Sequence, residues 1–109
     1  MSLTVLIDAR NVLRSRWPNI PEEELVRLIG EWALAEGAEP EIVFDGRAPA
    51  GGIGTGSESA DDWLTRRAGE LEGSYWLVTS DRELRERAGG GAERIIGGGA
   101  FASLILGDR

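Results

Sequence analysis

The sequence contains no cysteine and no histidine, and all 12 of its cationic residues are arginines, so lysine is missing as well. Without cysteine there are no disulfides, no thiolate nucleophile and no zinc–cysteine cluster, a pattern that fits a reducing compartment. Without histidine the usual general base near neutral pH is gone. Without lysine there is neither a Schiff-base amine nor the phosphate-gripping residue of a Walker loop. Long apolar runs are lacking too. The stretch Met1-Ser2-Leu3-Thr4-Val5-Leu6-Ile7 meets Asp8 before it is long enough for a membrane span or a signal peptide. The expectation is a cytoplasmic protein with no membrane partner. Chemistry is left to carboxylates, hydroxyls, amides and arginine, and carboxylates at neutral pH do most when they hold a divalent metal.

What is present suits one compact core. At 109 residues and 41% hydrophobic content, the chain reads as a single domain over residues 1–109. A net charge of −7 argues against sequence-independent wrapping of a nucleic acid, whose affinity comes from neutralised phosphates. The arginines nevertheless fall close in sequence to the aspartates. Arg10, Arg14, Arg47 and Arg82 are candidates for a basic rim that grips phosphate around an acidic centre.

Leu3 to Ile7 is a short branched apolar run stopped by the polar Asp8-Ala9-Arg10-Asn11, the ending of a buried parallel strand. A loop through Trp17-Pro18-Asn19 leads to Pro21 and three acids, a helix start, with Leu25, Leu28, Ile29 and Trp32 at helical spacing and Gly37 as the stop. Glu41 to Asp45 is a second strand, and the glycine-rich stretch 46–59 reads as a flexible loop. Its resemblance to a phosphate loop is weak, since the lysine is absent. A helix over Ala60–Leu71, a strand over Tyr75–Thr79, a short helix to Ala88, a strand over Glu93–Ile96 and a terminal helix around Phe101–Ile105 complete the pattern. Strands alternating with helices predict a three-layer α/β/α sandwich around a mostly parallel sheet of four to five strands. A spatial order of second, first, third and fourth strand would put Asp8 and Asp81 side by side at the point where the order reverses, where such sheets hold their ligands.

Asp8 leaves the first strand, Asp81 follows the third, and Asp61-Asp62 open the helix between. Convergent anions repel unless protonated or bridged by a cation, so the cluster is costly as architecture and sensible as a metal site. Each acid also has a plainer reading. Asp81 and Glu83 can complement a helix dipole behind Ser80 as cap, and Asp61-Asp62 can do so behind Ser59. Asp8, trailed by the oxygen donor Asn11, is harder to explain that way. Asp45 is better read as part of an Asp-Gly turn. Of the four tryptophans only Trp17, in a polar loop, reads as a base-stacking platform; the others read as core.

The strings Val5-Leu6-Ile7-Asp8-Ala9-Arg10-Asn11-Val12, Ile42-Val43-Phe44-Asp45-Gly46, Ser59-Ala60-Asp61-Asp62-Trp63 and Val78-Thr79-Ser80-Asp81-Arg82 resemble, in this order, NYN domains of the PIN-like nuclease superfamily, and the YacP-like bacterial subgroup most of all. The resemblance spans nearly the whole chain. It implies a PIN-like fold and a metal-dependent endoribonuclease using Mg²⁺ or Mn²⁺. Asp8, Asn11, Asp61, Asp62 and Asp81 fall on the family's acidic positions, with Asp8, Asp61, Asp62 and Asp81 as metal ligands and Ser80 and Arg82 in support. It implies RNA as partner, with ribosome association and a homodimer left open. The alternative is a PIN-like module that binds RNA or protein without turnover. Two departures stand out: Ala9-Arg10 replaces a more usual Gly-Tyr, and Arg85 stands where some relatives carry a further acid. The chain is also short for the YacP-like group and lacks an extended C-terminal portion.

Overall fold

In the computed structural model, which describes residues 3–107, the chain runs β1 (Leu3–Asp8), α1 (Ala9–Arg14), α2 (Glu22–Glu36), β2 (Ala38–Phe44), β3 (Ile53–Gly54), α3 (Ala60–Glu70), β4 (Tyr75–Val78), α4 (Arg82–Ala88), β5 (Arg94–Ile96) and α5 (Gly98–Leu106). The five strands form one sheet in the order β3-β2-β1-β4-β5, with every pairing parallel. The expected order of the four main strands is therefore the observed one, and β3 adds an edge.

Alternation along β1 divides the core. Val5 and Ile7 face a cluster completed by Val12 of α1, Leu25 and Ile29 of α2, and Phe101 of α5. Leu6 faces the other cluster, with Leu64 of α3 and Leu84 of α4. Because both faces of a parallel strand are covered, β1 is apolar at nearly every position and reads as a continuous run. The result is a three-layer α/β/α sandwich, with α1, α2 and α5 on one side and α3 and α4 on the other.

Four details differ from the sequence reading. The polar stretch after Ile7 is a helix, because Asp8 caps α1 by accepting from the Asn11 N–H at 3.4 Å. β2 begins before Pro40; β3 pairs only with Val43 and Phe44, so the outer side of β2 at Pro40 is an edge where a missing N–H costs no ladder bond. The glycine-rich segment is an organised turn. Thr55 Oγ1 accepts from the Gly46 N–H and donates to the Glu58 carbonyl, while the Thr55 N–H returns to Phe44. Gly46 and Gly56 there have positive φ, which glycine adopts without a Cβ clash. Finally, α5 starts within the Gly97–Gly99 run that reads as a turn.

Candidate functional site

The site forms where the strand order reverses. The register Ile7↔Val78 sets Asp8 beside Thr79, and α3, entering from the β3 side, brings Asp61. Asp8, Arg10, Asn11, Arg14, Asp45, Ser59, Asp61 and Asp81 line one depression of about 220 Å³ at the carboxyl ends of the strands. A larger hollow of about 460 Å³ lies at the opposite end of β4, between the C-terminal parts of α3 and α4, and contains none of these acids.

Asp8 is 93% removed from solvent, and Thr79 completely so. Thr79 Oγ1 donates to Asp8 Oδ2 at 3.2 Å and accepts from the Asp81 N–H at 3.1 Å. Asp81 in turn caps α4, accepting from the Leu84 N–H at 3.2 Å. Burial pushes the Asp8 carboxyl above its ordinary value, opposed by its bonds from Asn11 and Thr79 and reinforced by the charges of Asp61 and Asp45. Asp61 is also pushed up, first by desolvation and then by Asp81 and Asp45. The acids feel one another.

Their other bonds are unequal. Asp45 Oδ1 accepts from the Ala60 N–H at 2.8 Å, holding the start of α3, and Oδ2 lies 3.7 Å from Arg10 Nε. The carboxylate of Asp61 makes no hydrogen bond among the described residues. Asn11 lines the depression, but its Oδ1 accepts from the Ser80 N–H at 2.9 Å, so it works as a strut between α1 and the turn after β4, distant in sequence. Arg85 Nε donates to the Thr79 carbonyl at 3.0 Å and secures the same turn.

Several sequence-predicted residues sit elsewhere. Asp62, expected among the metal ligands, points away and pairs with Arg87 at 2.7 Å, which lowers its pKa; one helix position past Asp61 is a rotation of about 100°, enough to leave the site. Ser80 is not the cap of α4; its Oγ accepts from the Gly98 N–H at 2.9 Å and Asp81 is the cap. Arg47 and Arg82 are exposed and do not line the depression, whereas Arg10 and Arg14 do. Asp45, read as an ordinary turn residue, is part of the acidic wall. Thr79 was missed; a polar residue directly after an apolar strand, two positions before an acid, is the signal that marks it.

The donor set is four carboxylates from four segments, all oxygen, which is what Mg²⁺ or Mn²⁺ accepts. Among the described residues, no three of them stand close enough as they lie to share one ion directly. A cation at this place would have to reach some of the carboxylates through water.

No family model matches the sequence, and no curated protein matches it. Among solved structures, the fold is similar to that of a mutant of Rae1 (YacP) from Bacillus subtilis, with a TM-score of 0.76 and 21% identity over 99% of this chain and 77% of that one. At that identity the likeness speaks for the architecture: the chain has a YacP-like fold. Among the described residues, no helix is long and apolar enough to cross a membrane.

Proposed function

We propose that the chain is a PIN-like, NYN-type domain that hydrolyses phosphodiester bonds of RNA in the cytoplasm, with Mg²⁺ or Mn²⁺ held by Asp8, Asp61 and Asp81 and with Asp45 beside them. The observation that carries this reading is the convergence of four carboxylates from separate segments on one depression at the strand-order reversal. Asp8 and Asp61 have raised pKa values there, partly through the neighbouring acids. Unaided, such a site repels a phosphate. A bound divalent ion would reverse that local charge and supply a nucleophilic water of lowered pKa. The chain's own part is to fix the acids: Thr79 ties Asp8 to the Asp81 backbone, Asn11 ties α1 to the turn after β4, and Arg10 and Arg14 offer guanidinium groups to the phosphate. The YacP-like fold and the four family-like strings support the same reading.

The test is cleavage of single-stranded RNA with Mn²⁺. Asp8→Asn and Asp81→Asn each abolish it while keeping the fold, since asparagine also caps helices. Asp62→Asn retains it. Cleavage that survives both of the first two changes, or that continues in excess chelator, overturns the mechanism.

A second reading, a module that binds RNA or protein without turnover, is favoured by one observation: the acids as they lie are too far apart for three to share an ion directly. Stabilisation by millimolar Mg²⁺ with no cleavage of any RNA would select it.

A further inference from the structure

Trp17 is 88% exposed, the most exposed large apolar side chain among the described residues. The other tryptophans are accounted for. Trp32 packs on Trp76 and edge-on against Phe101, with ring centroids 6.4 Å and 5.0 Å away; Trp63 lies against the α3–α4 side of the core and under Arg66. Trp17 lies in a turn whose neighbouring residues are tied down by side-chain bonds. Asn19 Nδ2 donates to the carbonyls of Leu13 at 2.9 Å and Arg16 at 3.0 Å, and Ser15 Oγ donates to the Val12 carbonyl at 2.6 Å. These bonds dock the turn onto the end of α1.

α1 links this turn to the acidic site. Asp8 caps its N-terminus. Arg10 and Arg14, four apart and so on one helical face, both line the depression. Four arginines of this acidic chain, Arg27, Arg66, Arg67 and Arg87, are committed to carboxylates. Arg14 has no ion pair among the described residues, and Arg10 has only the 3.7 Å approach to Asp45. From the cap of α1 through the turn after it the order is thus the acid of Asp8, the guanidinium groups of Arg10, Arg14 and Arg16, and the indole of Trp17. A single nucleic-acid strand needs that combination: cations at its phosphates and an aromatic face for an unpaired base.

We propose that α1 and the turn after it are the substrate track of this site: a single RNA strand lies along α1 with phosphates at Arg10 and Arg14 and one unpaired base stacked on Trp17. The inference rests on the RNA-cleaving reading and adds where the strand lies and which base-stacking residue holds it; bases within a duplex already stack on each other and present no free face to Trp17.

The test uses the whole chain at low salt in millimolar Mn²⁺, with a short single-stranded oligoadenylate as probe and stopped-flow tryptophan fluorescence as readout, so that binding is read before cleavage. Oligoadenylate quenches the wild type, and the quench is missing in Trp17→Phe. Trp17→Ala weakens binding by roughly 5- to 150-fold, the range for losing one base–aromatic stack, and Trp17→Phe restores most of it. Arg14→Ala lowers the slope of log affinity against log salt by about 0.7, one phosphate contact on a single strand. In Mn²⁺-dependent cleavage the Trp17→Ala defect falls in KM more than in kcat. Wild-type affinity in Trp17→Ala, or preference of the wild type for duplex, overturns the track. If the wild type cleaves RNA and Trp17→Ala has an unchanged KM, the track fails and the catalytic reading stands. Binding that depends on Trp17 without cleavage keeps the track and removes catalysis; a wild type that neither binds nor cleaves RNA removes both.

Discussion

Thr79 reaches Asp8 across 71 positions of sequence, its hydroxyl donating to Oδ2 at 3.2 Å from a site with no solvent exposure. Thr79 Oγ1 itself accepts from the Asp81 N–H. One buried hydroxyl therefore ties two acids of the site to each other. Thr79→Val keeps the shape and removes both bonds. The expected cost is about 1–3 kcal/mol, because an N–H and a carboxylate oxygen lose their partner in a partly dry place. Thr79→Ser recovers most of it. Urea midpoints of the three proteins check this; a Thr79→Val loss below roughly 0.5 kcal/mol, the scale of an ordinary surface change, would show that Thr79 does not organise the site.

The charges of the site oppose folding when no cation is bound. Asp61 has a pKa raised from 3.8 by desolvation, then by Asp81 and Asp45, and burial raises Asp8 likewise. A raised native-state pKa means the folded chain binds the proton better than the unfolded chain. Stability from these groups is therefore full at pH values below 3.8 and is lost as pH rises through their raised values. Asparagine mimics the protonated acid, and the Asp61 carboxylate has no hydrogen bond to lose. In metal-free buffer near pH 7, Asp61→Asn should raise Tm by a few degrees, on the order of 0.5 kcal/mol, and the difference should vanish near pH 3. Millimolar Mg²⁺ should stabilise the wild type more than the variant. Thermal melts across pH with and without Mg²⁺ decide it: a destabilised Asp61→Asn at neutral pH, or equal Mg²⁺ effects, would contradict a shared acidic site.

Most of the architecture could be read from local patterns, because each local pattern agreed with the fold. The apolar runs ending at Ile7 and Phe44 mark strands buried on both faces, and Leu25, Leu28, Ile29 and Trp32 mark one helical face. The elements that escaped are those whose cause is tertiary. α1 has only six residues and opens on an aspartate that reads as catalytic, so its capping role was hidden by its other role. β3 is two residues long and exists because the turn at Gly46 and Thr55 folds the chain back along β2. The site was legible in its acids and less so in their supports. Asp8, Asp61 and Asp81 occupy recognisable positions after strands and at helix starts. Which of Asp61 and Asp62 faces inward depends on the rotation of α3, and Arg87, which holds Asp62 outward, is 25 positions away.

The glycines at the start of α5 make opposite demands that separate packing from propensity. A Cβ on Gly98 would overlap Asn11 Oδ1 and come within 3.0 Å of the Asn11 carbonyl oxygen. Asn11 cannot give way without leaving the Ser80 N–H, and the Gly98 N–H is itself bonded to Ser80 Oγ. Gly98→Ala should therefore cost about 1–3 kcal/mol as an overpacked contact and, by shifting Asn11 away from the β4–α4 turn, reduce Mn²⁺-dependent cleavage as well. Gly99 is one residue further into the same helix, and a Cβ there would meet Ser15 Cβ at 3.8 Å, an ordinary contact. Gly99→Ala should be stabilising by up to about 1 kcal/mol, since alanine loses less conformational freedom on entering a helix. Opposite signs in parallel urea titrations are the expected result. If both variants are stabilised, α5 is not wedged against Asn11, and the strut joining α1 to the turn after β4 is looser than its 2.9 Å bond implies.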